Sequence, residues 1–96
     1  WKIIYMYHEH YTKRFQKSFK KVIHSVKIKR QEVELVINIL ISGQKLTSKY
    51  QDHALHGSLD NLRECHIRGD ILLIYQVKNQ ELVLVLINIG THSELF

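Results

Sequence analysis

Ile71-Leu72-Leu73-Ile74-Tyr75-Gln76-Val77 and Leu82-Val83-Leu84-Val85-Leu86-Ile87-Asn88-Ile89, separated by Lys78-Asn79-Gln80-Glu81, decide the fold. Each run has strand length, and four polar residues between them suit a tight turn, so the pair reads as antiparallel. A third strand, Leu62 to Ile67, precedes them across the turn Arg68-Gly69-Asp70, and a meander is the simplest arrangement. The last two strands are apolar on both alternating faces, unlike a sheet with one wet side. Something must therefore cover each face: helices one, and a partner part of the other.

Working outward, Lys2 to Tyr7 is rich in β-branched and aromatic residues and reads as a first strand. From about Glu9 the period changes. Tyr11, Phe15, Phe19, Val22, Ile23 and Val26 recur at three- and four-residue intervals, which predicts an apolar helix stripe with lysines opposite. Ile28, Val33, Val36, Ile37, Leu40 and Ile41 continue a helical pattern, and Gly43 stands where a helix would stop. The two stripes together predict a helical hairpin broken near Ser25 to Lys29. Gln44 to Asn61 has neither period and reads as a connecting loop with at most a short turn, of a length often used for function. The expectation is one α+β domain over residues 1–96, an N-terminal strand and helical hairpin packed on a small antiparallel sheet.

Ninety-six residues with 45% hydrophobic content support one core. The longest apolar run, Leu82 to Ile87, is far shorter than the roughly 18 residues of a membrane span, so a soluble protein is expected. The chain opens at Trp1 with no initiator methionine and no signal-peptide pattern, as expected of a trimmed start. Its single cysteine, Cys65, cannot form an internal disulfide, consistent with a reducing, cytoplasmic setting. Fourteen lysines and arginines against nine acidic residues give a net charge of +5. Polyanions are the natural partners. Lys13, Arg14, Lys17, Lys20, Lys21, Lys27, Lys29 and Arg30 concentrate in the helical half, either as a solvated face or as a phosphate-binding one.

The second half resembles a known family. Tyr50-Gln51-Asp52-His53-Ala54-Leu55-His56-Gly57, Asn61-Leu62-Arg63-Glu64-Cys65-His66-Ile67, Gly69-Asp70-Ile71-Leu72-Leu73-Ile74-Tyr75 and Ile89-Gly90-Thr91-His92-Ser93-Glu94-Leu95-Phe96 are similar, in order and spacing, to the signatures of the YafQ branch of the RelE toxin superfamily. The helical half matches only through Phe15-x-Lys17-x-Phe19-Lys20. Ala54 and Gly69 stand where relatives often have proline, and Ser18 where an acid is common; these departures touch turn stiffness rather than reacting groups. The resemblance implies a RelE-like α+β fold, metal-independent cleavage of mRNA in the ribosomal A site, no cofactor, and an antitoxin partner. It further implies substrate contacts from Lys49, Arg63, Glu64 and Phe96.

The chemistry of the residues agrees. Cleaving RNA through its own 2′-hydroxyl needs a base at that oxygen, an acid at the leaving 5′-oxygen and stabilisation of the charged phosphorane, and histidine suits both proton transfers. Of seven histidines, His53, His56, His66 and His92 lie in the matched segments; His53, His66 and His92 are the candidates, with Asp70 beside them. His53 is either catalytic or a turn cap, and His66 either a site residue or a satisfied core histidine. His92, just after a buried strand, is the strongest candidate. Asp70 orients a histidine or merely shapes its turn. Glu64 alternates away from Cys65 and reads as substrate-binding or structural. Phe96 is either a frayed end or a stacking surface for a base. Lys13, Lys17, Lys20 and Lys21 are the candidate ribosome contacts. His8, His10 and His24 fall outside the matched segments. His53, His56, Cys65 and His66 match no familiar zinc spacing, so no metal is expected. Two rivals share these features in part: a gyrase-inhibiting toxin of the same superfamily, which usually lacks the histidine and aspartate set, and a non-catalytic RNA-binding module, which needs no proton-transfer pair.

Overall fold

The computed structural model describes residues 6–25, 28–57 and 61–96. Strand β1 (His8–Tyr11) leads into helix α1 (Lys13–His24), and α2 (Arg30–Ile41) comes next. A 3₁₀ turn (Ser48–Tyr50) and a two-residue strand β2 (His53–Ala54) precede β3 (Arg63–Arg68), β4 (Ile71–Lys78), β5 (Val83–Thr91) and the short α3 (His92–Leu95). The five strands form one sheet in the order β1-β5-β4-β3-β2. The expected meander is β3-β4-β5, antiparallel throughout, while β1 joins the far side of β5 in parallel. The α+β class and the helical hairpin are as expected, and the sheet is mixed at one edge. Among the described residues no helix is long and apolar enough to cross a membrane.

Capping explains why α1 begins later than its apolar stripe suggested. Thr12 accepts from the Phe15 backbone N–H at 3.0 Å, and its hydroxyl lies 3.0 and 2.9 Å from the Leu86 and Ile87 carbonyls. That side chain both satisfies an orphan donor and ties the helix start to β5. Glu9 to Tyr11, expected as helix, instead pair with Leu84 to Leu86 as strand. Lys2 to Tyr5 of the expected first strand lie outside the described residues. Met6 and Tyr7 form no strand, but both donate to the Ile41 carbonyl, at 3.1 and 3.2 Å. The hairpin breaks after His24 as the sequence implied, and Glu32 accepts the Lys29 backbone N–H at 2.8 Å to start α2.

Gly43 stands just past α2 with φ of +81°, a left-handed value that costs glycine nothing. A side chain there would also strike Met6 Sδ at 2.9 Å. Leu82, expected to open the last strand, lies in the preceding turn with φ of +55°, so β5 starts one residue later and runs on to Thr91.

Helices α1 and α2 cover one face of the sheet. Phe15, Val22, Val33, Val36, Ile37, Leu40 and Ile41 pack there against Cys65, Leu73, Tyr75, Leu84, Leu86 and Ile89. On the other face Leu72 and Ile74 are also buried, whereas Val83, Val85 and Ile87 remain partly exposed. Leu73 is fully buried at the centre of the core. Leu73→Ala should therefore cost about 2–5 kcal/mol in urea unfolding. Thr12→Ala should cost about 1–2 kcal/mol through the lost cap, with Thr12→Ser close to wild type.

Candidate active site

Strand alternation divides the predicted site residues between two faces. Across the ladder His53 pairs with Glu64, Glu64 with Ile74, and Ile74 with Asn88. The next row aligns His66, Leu72 and Gly90. These residues share the face turned away from α1 and α2. Arg63, Cys65, Leu73 and Tyr75 share the opposite one.

Glu64 is the junction of the first face. It is only 6% exposed, and its Oε1 lies 3.4 Å from His53 Nε2 and 4.0 Å from His66 Nε2. A carboxylate so withdrawn from water needs such partners. His53 Nδ1 lies 2.8 Å from the Gln51 carbonyl, which can only accept, so that nitrogen carries its hydrogen and Nε2 faces Glu64. The His53 side chain is half exposed and His66 less so.

His92 is the first residue of α3. Thr91 caps this turn: its hydroxyl accepts from the Glu94 N–H at 3.3 Å, and its own N–H donates to Glu94 Oε1 at 2.8 Å. That hydrogen bond, with help from the Thr91 hydroxyl and Lys21, holds the Glu94 carboxyl below the usual range. Gly90 allows α3 to fold back, since a side chain there would meet Glu94 Oε1 at 3.0 Å. The His92 and Phe96 rings lie 5.1 Å apart, and Phe96 is 51% exposed. Thr91-x-x-Glu94 was a capping signature available in the sequence.

Ile71 pairs with Thr91, so Asp70 and His92 adjoin the same end of the sheet. No hydrogen bond or ion pair joins Asp70 to a histidine among the described residues. Strands about 4.8 Å apart put the backbones of β2 and β5 about 14 Å apart, with His66 between His53 and the end carrying His92.

Several expected residues stand elsewhere. Arg63 points to the helix side, where it pairs with Asp52 at 3.1 Å. Lys49 lies over the Tyr50 ring at 5.0 Å. Lys13, Lys17, Lys20 and Lys21 are exposed on α1, and Lys21 reaches Glu94 at 3.3 Å, joining the basic helix to α3. Among the described residues no group of three or more histidine, cysteine, aspartate or glutamate side chains is placed to hold a metal ion.

Sequence reasoning missed a second polar centre. Asp52 accepts from the Tyr75 hydroxyl at 2.5 Å and from Arg63 Nε and Nη2 at 3.4 and 3.1 Å. A tyrosine inside a buried strand needs a partner for its hydroxyl, and that signal would have pointed to it. Beside it, burial foremost and then Asp52 and Glu64 push the Cys65 thiol up to about 12.

A model of the YafQ toxin family, bacterial toxins of type II toxin–antitoxin systems, matches residues 7–96. The chain is 47% identical over 45 residues to a putative YafQ toxin of Haemophilus influenzae, spanning 47% of this chain and 44% of that relative's length. A metal-bound toxin from Helicobacter pylori superposes with a TM-score of 0.87 at 40% identity, covering 95% of this chain and all of that one. YafQ in the DinJ–YafQ toxin–antitoxin complex of E. coli gives 0.82 at 26% identity, covering 95% of this chain and 98% of that one.

Cys65 supplies a test of this environment. A thiol whose pKa is higher folded than unfolded costs stability once the unfolded state releases its proton. Stability should therefore fall between about pH 9 and about pH 12. Cys65→Ala should flatten part of that fall in pH-dependent urea unfolding, and native Cys65 should resist thiol reagents at pH 8 until denaturant is added.

Proposed function

Since this chain belongs to the YafQ family of type II toxin–antitoxin toxins, we propose that it is a ribosome-dependent mRNA endonuclease held in check by an antitoxin. The observation that carries this reading is the convergence of His53, Glu64 and His66 on one sheet face, with His92 and Phe96 at the end of that sheet. His53 and His92 transfer the protons, one at the 2′-oxygen and one at the 5′-oxygen. As the 2′-oxygen attacks phosphorus, its proton passes to one imidazole, the bond to the 5′-oxygen breaks, and that oxygen takes a proton from the other. A 2′,3′-cyclic phosphate and a 5′-hydroxyl result.

When His53 carries its second proton, its Nε2–H faces the Glu64 carboxylate, which also lies beside His66. Asp70 contributes its charge at the end of the sheet where His92 stands. The exposed Phe96 ring offers a stacking surface for a base. Lys49 and the α1 lysines meet RNA phosphates, and the ion pair from Lys21 to Glu94 makes α1 continuous with the catalytic end. In this reading the two proton transfers are carried by the chain's own imidazoles. The cognate antitoxin covers the partly exposed Val83, Val85 and Ile87 together with the basic helix.

His53→Ala and His92→Ala should fold normally and lose roughly 100- to 10,000-fold in cleavage rate on purified ribosomes. Wild-type rates in both would overturn the assignment. Replacing Lys13, Lys17, Lys20 and Lys21 with glutamine should weaken ribosome binding and lower its salt slope without changing thermal stability. Co-expression with the neighbouring reading frame should yield an inactive complex in which amide exchange slows along β5 and α1; a fully active complex with no protected surface would remove the antitoxin from this reading.

A further inference from the structure

Asp52 and His53 are consecutive, and the chain's alternation sends their side chains to opposite faces of the sheet. His53 joins Glu64, while Asp52 turns toward the helix side and meets Arg63 and Tyr75. Those two partners are directly paired across β3 and β4. One carboxylate thus fastens the edge segment to both interior strands.

The fastening matters because β2 is so short. Among the described residues it holds two pairs with β3, extended by the Leu55 N–H bond to the Leu62 carbonyl at 2.9 Å. A two-residue edge strand supplies little cohesion of its own. Gln51, just before it, takes a left-handed φ of +49°, so the turn into β2 depends on the contacts made by Asp52 and His53. Tyr75 is 1% exposed and anchored in the core, which makes its hydroxyl a fixed point rather than a mobile one. Arg63 has its charge matched by Asp52 on the face away from Glu64.

We propose that Asp52, Arg63 and Tyr75 form a positioning clamp that acts through His53, locking β2 onto β3 and β4 so that the imidazole stays in register with Glu64. The inference rests on His53 as a proton-transfer residue and adds that its geometry is set from the opposite face. Burial and the Asp52 hydrogen bond raise the Tyr75 hydroxyl well above its usual range, so it remains a donor at every working pH. Each of the three acts only by fixing where the His53 backbone lies.

The test compares Asp52→Ala, Tyr75→Phe and Asp52→Asn in the full chain, by amide exchange and by single-turnover cleavage on saturating ribosomes. In Asp52→Ala the Leu55 amide should exchange at least about 10-fold faster, while amides shared by β4 and β5 keep their protection. Cleavage should fall about 10- to 100-fold with ribosome affinity unchanged, and adding Asp52→Ala to His53→Ala should cost less than about a further twofold. Tyr75→Phe keeps the buried ring and should show the same pattern more weakly, so it serves if Asp52→Ala fails to fold. Asp52→Asn, which keeps an acceptor, should restore much of the protection. Unchanged Leu55 exchange in both Asp52→Ala and Tyr75→Phe, or an equal loss of cleavage with and without His53, overturns the clamp. A wild-type chain that cuts no mRNA would sink the nuclease reading, yet Leu55 exchange would still decide the clamp.

Discussion

Five consecutive residues of β4, Ile71 to Tyr75, are buried, and the rest of the molecule is arranged around that fact. A strand buried on both faces must have a layer on each side, yet a chain of 96 residues has room for one helical layer only. The helices take the side of Ile71, Leu73 and Tyr75. The side of Leu72 and Ile74 is flanked instead by Glu64 and His66 on β3 and by Asn88 and Gly90 on β5. Leu72 and Ile74 thus lie between polar residues of the two neighbouring strands, and the withdrawn Glu64 carboxylate meets the two more exposed imidazoles there.

Much of this arrangement was legible in the sequence. The long apolar runs of β4 and β5, the hairpin turn at Gly69 and the stripe of α1 and α2 can each be read from period and composition alone. The illegible parts have physical reasons. Glu9 and His10 form an exposed, polar strand held only by its ladder with β5, so they carry no hydrophobic signal. β2 is two residues long and exists because β3 is beside it. The turn position of Leu82 contradicts the preference of its own side chain and is decided by where β4 and β5 must part.

For the site, residue type was readable and grouping was not. His53, His66 and His92 stood out as histidines in recognisable segments, but their distribution depends on register, and register is shifted by irregularities at His66 to Arg68 and at Ile74 to Tyr75. No period reveals a bulge. Arg63 illustrates the same limit: one residue from Glu64 in sequence, it lies on the other side of the sheet. The resemblance implied a substrate contact, and alternation places the side chain beside Asp52.

Charge pairing then separates the roles of the basic residues. Glu32 takes Arg68, Asp52 takes Arg63, Glu81 takes Lys78, Glu94 takes Lys21, and Glu64 faces two histidines. Most of these pairs are exposed and contribute little to stability, but those of Lys21, Arg63 and Arg68 join segments distant in sequence and match a cation in place. Lys13, Lys17 and Lys20 stand in no ion pair among the described residues, and all three lie on exposed turns of α1. Part of the positive charge of the chain therefore stands along α1, whose last turn is tied, through Lys21 and Glu94, to the turn that begins with His92. A polyanion drawn to that helix would be brought toward the end of the sheet where His92 and Phe96 stand, with no separate guiding element.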